Sequence, residues 1–170
     1  MGREEFIASL VKRHGWTRGA ELGLWRGRTF GYLLRECEAL HLIGVDLFGP
    51  QPEHPEYGSQ PSFGEEWGHD ENEQVCLDIA DRYPGRAEVI KDYTTNAAKV
   101  LPDEYLDFVF IDADHTSEGV LRDIEDWEPK VKKGGYVMGH DIDWESVRSV
   151  VAKRLPGYRT GPDNVWYRQK

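Results

Sequence analysis

The chain has 170 residues, with 31 acidic against 21 basic side chains and a net charge of −10. Apolar residues make up 39% and aromatics 12%, enough for one packed domain over 1–170 and too aromatic for a disordered chain. The acidic balance repels phosphate backbones, and no run reaches the roughly 18 apolar residues of a membrane span. The expectation is therefore no nucleic acid, no membrane, and small-molecule partners.

In chain order, Met1 to Phe6 lacks the apolar stretch of a secretion signal, which suggests a cytoplasmic protein. Phe6, Leu10, Val11 and His14 recur at helical spacing. Residues 20–24 form a short apolar run, and Phe30, Leu33, Leu34, Cys37 and Leu40 behind it make a helical face. Residues 41–45 predict a second strand closing at Asp46; a helix through Val75, Cys76, Ile79, Ala80 and Tyr83 then precedes a third strand over 87–91. Between these units, 48–70 is rich in Pro, Gly, Glu and aromatics and has no period, which predicts a lid or insertion carrying His54, Trp67 and His69.

Residues 105–111 are the most apolar stretch and predict a central strand buried on both faces. Val120, Leu121, Ile124, Trp127 and Val131 predict a helix ending at residues 132–135, Lys-Lys-Gly-Gly, as a helix C-terminus prefers. Residues 135–139 predict a fifth strand, and Trp144, Val147, Val150 and Val151 a last helix. Segments 158–160 and 165–168 flank a Gly-Pro-Asp-Asn turn and predict a β-hairpin at one sheet edge. The alternation is that of an α/β domain with a mostly parallel sheet. Cys37 and Cys76 fall on helical faces without zinc-like spacing and are expected as reduced core residues, as Trp127, Trp144 and Trp166 are expected to be core.

Ligands bind such sheets at the C-terminal ends of the parallel strands. Acidic groups crowd that rim: Glu21 before Gly23 to Gly27, then Asp46, Asp112, Asp114 with His115, and His140 with Asp141. A single Asp there is best read as a helix cap, but the set exceeds what capping requires. Gly23 and Gly27 make an E-x-G-x-x-x-G turn that admits a ligand close to the backbone. It is neither the G-x-G-x-x-G dinucleotide fingerprint nor a phosphate loop. Asp46 lies at about the offset where a carboxylate meets ribose hydroxyls, so an adenosine without a phosphate chain fits better.

These residues resemble the class I S-adenosylmethionine-dependent methyltransferases, in the small bacterial branch with I-D-x-D-H and G-H-D segments (methyltransferase type 24-like). The matching stretches are AELGLWRGRTF at 20–30, GVDLF at 44–48, FVFIDADHTSEGVLRDIEDW at 108–127 and KKGGYVMGHD at 132–141. The resemblance implies a Rossmann-like, doubly wound seven-stranded sheet with helices on both faces and a C-terminal antiparallel hairpin. It implies that Glu21, Gly23, Trp25 and Gly27 hold the methionyl end of S-adenosyl-L-methionine, Asp46 the ribose, and Asp92, Tyr93 and Thr94 the adenine, with Asp112 also at the cofactor. Where the family shows a Gly-Asp-Ser-like run after the third strand, this chain has Lys91-Asp-Tyr-Thr-Thr. The resemblance extends to a divalent cation, Mg²⁺ or Mn²⁺, on Asp112 and Asp141; the third position falls on Ile142 in one alignment and on His140 in the other, and a histidine there would favour manganese, iron or zinc over magnesium or serve as a base.

The implied reaction is O-methylation of a small-molecule hydroxyl, of a sugar or secondary metabolite, with His115 or His140 taking the proton. Two other readings stand beside it: a non-catalytic module binding S-adenosylmethionine or S-adenosylhomocysteine, and a metal-dependent hydrolase using the same carboxylates and histidines. The edge hairpin leaves a homodimer open.

Overall fold

The computed structural model describes residues 1–49 and 69–170. Helix α1 (Arg3–His14) leads into β1 (Arg18–Leu22), α2 (Arg28–Glu36) and β2 (His41–Asp46). Then follow α3 (His69–Asp81), β3 (Ala87–Lys91), α4 (Thr94–Val100), β4 (Leu106–Ile111), α5 (Ser117–Trp127), β5 (Val131–Gly139), α6 (Glu145–Arg154), β6 (Arg159–Thr160) and β7 (Trp166–Gln169). The strands form one sheet in the order β3-β2-β1-β4-β5-β7-β6. β1 to β5 are parallel, and β7 pairs antiparallel with both β5 and β6. The expected doubly wound α/β architecture with its terminal hairpin is therefore present.

Period-two alternation in a doubly covered strand sends successive apolar side chains to opposite cores. In β4, Phe108 and Phe110 join Ile7, Leu10 and Val11 of α1, Phe30, Leu33 and Leu34 of α2, and Cys76 of α3. Val109 and Ile111 join Ala97 of α4, Val120, Ile124 and Trp127 of α5, and Val147 and Val151 of α6. Among the described residues three helices thus cover each face, and the rim that carries the polar residues lies at one edge of this sandwich. Cys37 and Cys76 are buried free thiols, although Cys37 caps α2 from outside. No helix among the described residues is long and apolar enough to cross a membrane.

The end of α5 and the start of β5 differ most from the sequence expectation. The helix expected to reach Val131 stops at Trp127 and passes through a 3-10 turn, Glu128–Lys130. Pro129 lacks the N–H that another α-turn needs and its ring clashes with the preceding turn. Val131 already pairs with Leu106, and the register then shifts so that Phe108 faces Tyr136. The Lys-Lys-Gly-Gly segment is thus a bulged part of β5 and not a helix end. Helix α4 was not expected, being only seven residues, Thr-Thr-Asn-Ala-Ala-Lys-Val, without an apolar stripe. Most of the expected lid, with His54 and Trp67, lies outside the described residues, as does the side chain of His69 at the start of α3.

The bulge brings Lys132 to Asp107, whose carboxylate accepts from Lys132 Nζ at 2.7 Å and from the amides of Thr17 and Arg18 at 2.8 and 2.9 Å. Burial alone would raise this carboxyl, but those three donors hold it below its ordinary value. A depressed folded pKa adds stability that is complete above the unfolded value of about 3.9 and disappears as pH falls through the folded one. We expect Asp107→Asn to lower unfolding stability in urea by about 2 kcal/mol at neutral pH, with the difference shrinking in acid below about pH 3.9. A difference independent of pH would disprove the ionic origin.

Candidate functional site

The C-terminal ends of β1, β2, β3, β4 and β5 open into one cavity of about 740 Å³. From β1, Glu21 enters it with 2% of its surface exposed, and its Oε2 has no hydrogen-bond partner. Burial first, and the Asp112 charge second, raise its carboxyl well above the ordinary range, while Arg3 pulls it back. The next residue but one, Gly23, has φ +84°, and its amide donates to the Val45 carbonyl at 2.8 Å. A Cβ there would collide with the Asp112 carbonyl, so glycine is required both for conformation and for room. Gly27, at φ +65°, caps α2. Trp25 also has positive φ, 49°, and remains half exposed at the cavity wall.

Asp46 does more than close β2. Its Oδ2 accepts from the Leu24 and Trp25 amides at 2.7 and 2.9 Å, and its Oδ1 from the Phe48 amide at 2.7 Å. The carboxylate therefore pins the glycine turn, and with roughly four lone-pair positions it keeps one for a ligand. After β3, Asp92 Oδ1 accepts from the Tyr93 amide at 2.7 Å and Asn96 Nδ2 at 2.9 Å, which stabilises the first turn of α4 and lowers its pKa, the Asn96 bond contributing most. Tyr93 is exposed, and Thr94 points its hydroxyl to Asp123 Oδ1 at 2.6 Å.

The strongest charge cluster lies past β4 and β5. His115 Nε2 is 2.8 Å from Asp141 Oδ2 and 3.4 Å from Asp112 Oδ1. Burial disfavours its cation, but the two carboxylates outweigh that and carry its pKa up to about 9. His140 Nδ1 is 3.0 Å from Asp141 Oδ1 and 3.6 Å from Asp112 Oδ1, its pKa is raised by the same acids against burial, and its buried Nε2 is unpartnered. The two imidazoles in turn hold the Asp141 carboxyl well below its ordinary value, against the effect of burial. Among the described residues, the groups whose ligand atoms converge within 4.8 Å are Asp112, His115 and Asp141. His140, expected as the third metal ligand, faces Arg3 Nη1 at 3.2 Å.

Three participants escaped the sequence reading. Arg3 of α1 donates to Asp112 Oδ2 at 2.9 Å; nothing in the first residues of a helix signals that its side chain crosses to β4. Asp123 is 2% exposed, with Oδ2 unpartnered; an acid sharing the stripe of Val120, Ile124 and Trp127 was the available signal. Trp144, expected in the core, is 39% exposed. It precedes α6 instead of lying on its buried face, and its ring sits 5.1 Å from that of His115 at the cavity wall.

Residues 20–142 match the family model described as "Methyltransferase domain". No curated protein matches the chain. Among solved structures, the O-methyltransferase NovP superposes with a TM-score of 0.70 at 17% identity, covering 99% of this chain and 79% of NovP. The S-adenosylhomocysteine-bound methyltransferase PaMTH1 of Podospora anserina gives 0.70 at 12%, covering 99% and 78%. Cofactor-bound Rv0187 from MTB gives 0.64 at 19%, covering 97% and 78%. At these identities the superpositions establish the shared fold.

Asp123 yields a test of the site's electrostatics. Burial pushes its carboxyl up to about 7, against the Thr94 hydrogen bond that lowers it. An unfolded carboxyl ionises near 3.9. Between that value and neutrality the unfolded chain binds fewer protons, so stability falls as pH rises. We expect the melting temperature of the unmodified chain to drop relative to that of Asp123→Asn from about pH 4.5 to about pH 7.5; parallel profiles would refute the assignment.

Proposed function

Given that the chain belongs to this methyltransferase-domain family, the type 24 branch of the class I S-adenosylmethionine-dependent methyltransferases, we propose that it O-methylates a small-molecule hydroxyl of the sugar or secondary-metabolite class. The observation that carries the reading is one cavity holding both the Glu21–Gly23 turn and the Asp112–His115–Asp141 cluster. The unpartnered Glu21 carboxylate suits an ammonium group, the Gly23 turn admits a ligand against the backbone, and the free lone pair of Asp46 suits a ribose hydroxyl. S-adenosyl-L-methionine supplies, when bound, an electrophilic methyl on a cationic sulfur.

The chain's own residues then have two tasks, alignment and proton removal. His115 Nε2 is held by Asp141, and its Nδ1 has no hydrogen-bond partner among the described residues. That arrangement orients the ring so that Nδ1 accepts the acceptor's hydroxyl proton once a positive charge in the cavity offsets the two carboxylates. The bound cofactor would supply the methyl to the acceptor oxygen and keep the electron pair of the broken carbon–sulfur bond as a neutral thioether, so the chain's residues need form no covalent intermediate. Trp144 beside His115 gives the acceptor an apolar wall. Asp112, His115 and Asp141 also fit a divalent cation, because their donors converge; the mixed oxygen and nitrogen set favours Mn²⁺ over Mg²⁺. Such an ion would acidify the hydroxyl as a Lewis acid.

Calorimetric titration with S-adenosylhomocysteine, with and without Mn²⁺ or Mg²⁺, tests both groups. The reading expects micromolar binding by the unmodified chain and none by Gly23→Val. His115→Ala should still bind S-adenosylhomocysteine while methyl transfer to a panel of sugar and phenolic hydroxyls falls by roughly 10² to 10⁴. Absence of heat from the unmodified chain would overturn the cofactor site. Binding without transfer to any acceptor would leave a cofactor-binding module.

A further inference from the structure

Arg3 lies outside the family match, which begins at residue 20, yet its guanidinium lines the same cavity as Glu21. It is held from two directions, by Asp112 Oδ2 on Nη1 at 2.9 Å and by its own backbone amide donating to Asp163 Oδ2 at 3.3 Å. His140 Nδ1 approaches the same Nη1 at 3.2 Å. Among the described residues, Nη2 and Nε have no acceptor, although a guanidinium offers five N–H donors in a planar fork. The side chain is only 20% exposed, so this is a fixed, half-satisfied cation and not a solvated surface arginine. Glu21 is its counterpart: a carboxylate 2% exposed, close enough to feel the Arg3 charge but with no hydrogen bond to it, and with Oε2 unpartnered.

A carboxyl group and a cation facing one cavity, each with spare hydrogen-bonding capacity, are complementary to a zwitterion, whose ammonium favours the ionised form that burial of Glu21 alone disfavours. Guanidinium forks pair best with carboxylates, where two parallel bonds form. We infer that Arg3 binds the α-carboxylate of the cofactor's methionyl moiety while Glu21 faces its ammonium, so that α1 is a part of the binding site and not only a cover for the sheet. The inference rests on the S-adenosylmethionine reading above and adds to it a residue from outside the matched domain. Asp112 acts here as a positioning residue, fixing Nη1 so that the rest of the fork is presented to the cavity.

The test compares the binding of S-adenosylhomocysteine with that of its decarboxylated analogue, S-adenosyl-3-thiopropylamine, which keeps the amine and lacks the carboxylate. The unmodified chain should prefer S-adenosylhomocysteine by roughly tenfold to a hundredfold, the worth of charge-assisted hydrogen bonds. In Arg3→Gln the preference should collapse to about twofold or less, with the analogue bound as in the unmodified chain, and Arg3→Lys should recover part of it. A variant merely loosened in structure would lose both ligands together and keep their ratio, which would overturn the assignment. Equal affinity of the unmodified chain for the two ligands would overturn it without any variant. Failure of the unmodified chain to bind S-adenosylhomocysteine at all would instead remove the cofactor reading, and this inference with it.

Discussion

Asp112 is the point through which the rim of this sheet is organised. Its amide donates to the Leu22 carbonyl at 2.8 Å, which locks the end of β4 to the end of β1. Its own carbonyl lies where any side chain at residue 23 would have to go. One carboxylate oxygen takes Arg3 and the other lies near both His115 and His140. A single residue thus sets the height of the glycine turn and the place of the N-terminal helix, and with Asp141 it favours the charged form of two imidazoles. Its backbone role and its side-chain role cannot be separated, because the parallel register that fixes the one aims the other.

That arrangement pairs the charges around Asp112 and yet leaves the cavity poorly satisfied in hydrogen bonds. Asp112 and Asp141 are matched by Arg3, His115 and His140, whereas Glu21 Oε2, Asp123 Oδ2 and His140 Nε2 are buried without partners. A buried polar atom left unpaired costs about 1–3 kcal/mol. The fold tolerates several such atoms in one place because the cores on both sheet faces are almost wholly apolar and continuous. A ligand that supplies the missing donors and acceptors recovers what the folded chain forgoes, and it meets groups already oriented, so little ordering entropy is lost on binding.

The parts of this architecture governed by short-range chemistry were legible in the sequence. Residues 105–111 read as a doubly buried strand because every second side chain had to enter an apolar core, and Asp46, Asp112 and His140 followed as strand ends. The glycine turn was legible because residues 23 and 27 need positive φ. What the sequence concealed were events decided by tertiary contact. Pro129 marked the end of α5 locally, but an apolar Val131 at helical spacing masked it until pairing with Leu106 claimed that residue. Trp144 read as core because it fell in phase with Val147 and Val151, yet it sits one residue before the helix, where the phase no longer applies. Among the described residues His115 completes the converging set with Asp112 and Asp141, whereas His140 shares its Nδ1 between Asp141 and Arg3, a contact made from α1 that no local pattern announces.

The dependence on α1 has a consequence for how this small domain is built. α1 buries Ile7, Ala8, Leu10 and Val11 against α2 and the sheet, a contribution of several kcal/mol by area alone. The same docking fixes the first turn of the helix, and with it Arg3, to within the tolerance of a hydrogen bond at Asp112. Basic side chains are disfavoured at a helix N-terminus, where the macrodipole is positive. Arg3 occupies that position and escapes the penalty by turning its charge away to Asp112, whereas Glu4 and Glu5 complement the dipole in the same turn. The local rule is broken at the one place in α1 where the side chain enters the cavity, and the packing of the helix's apolar face is what holds it there.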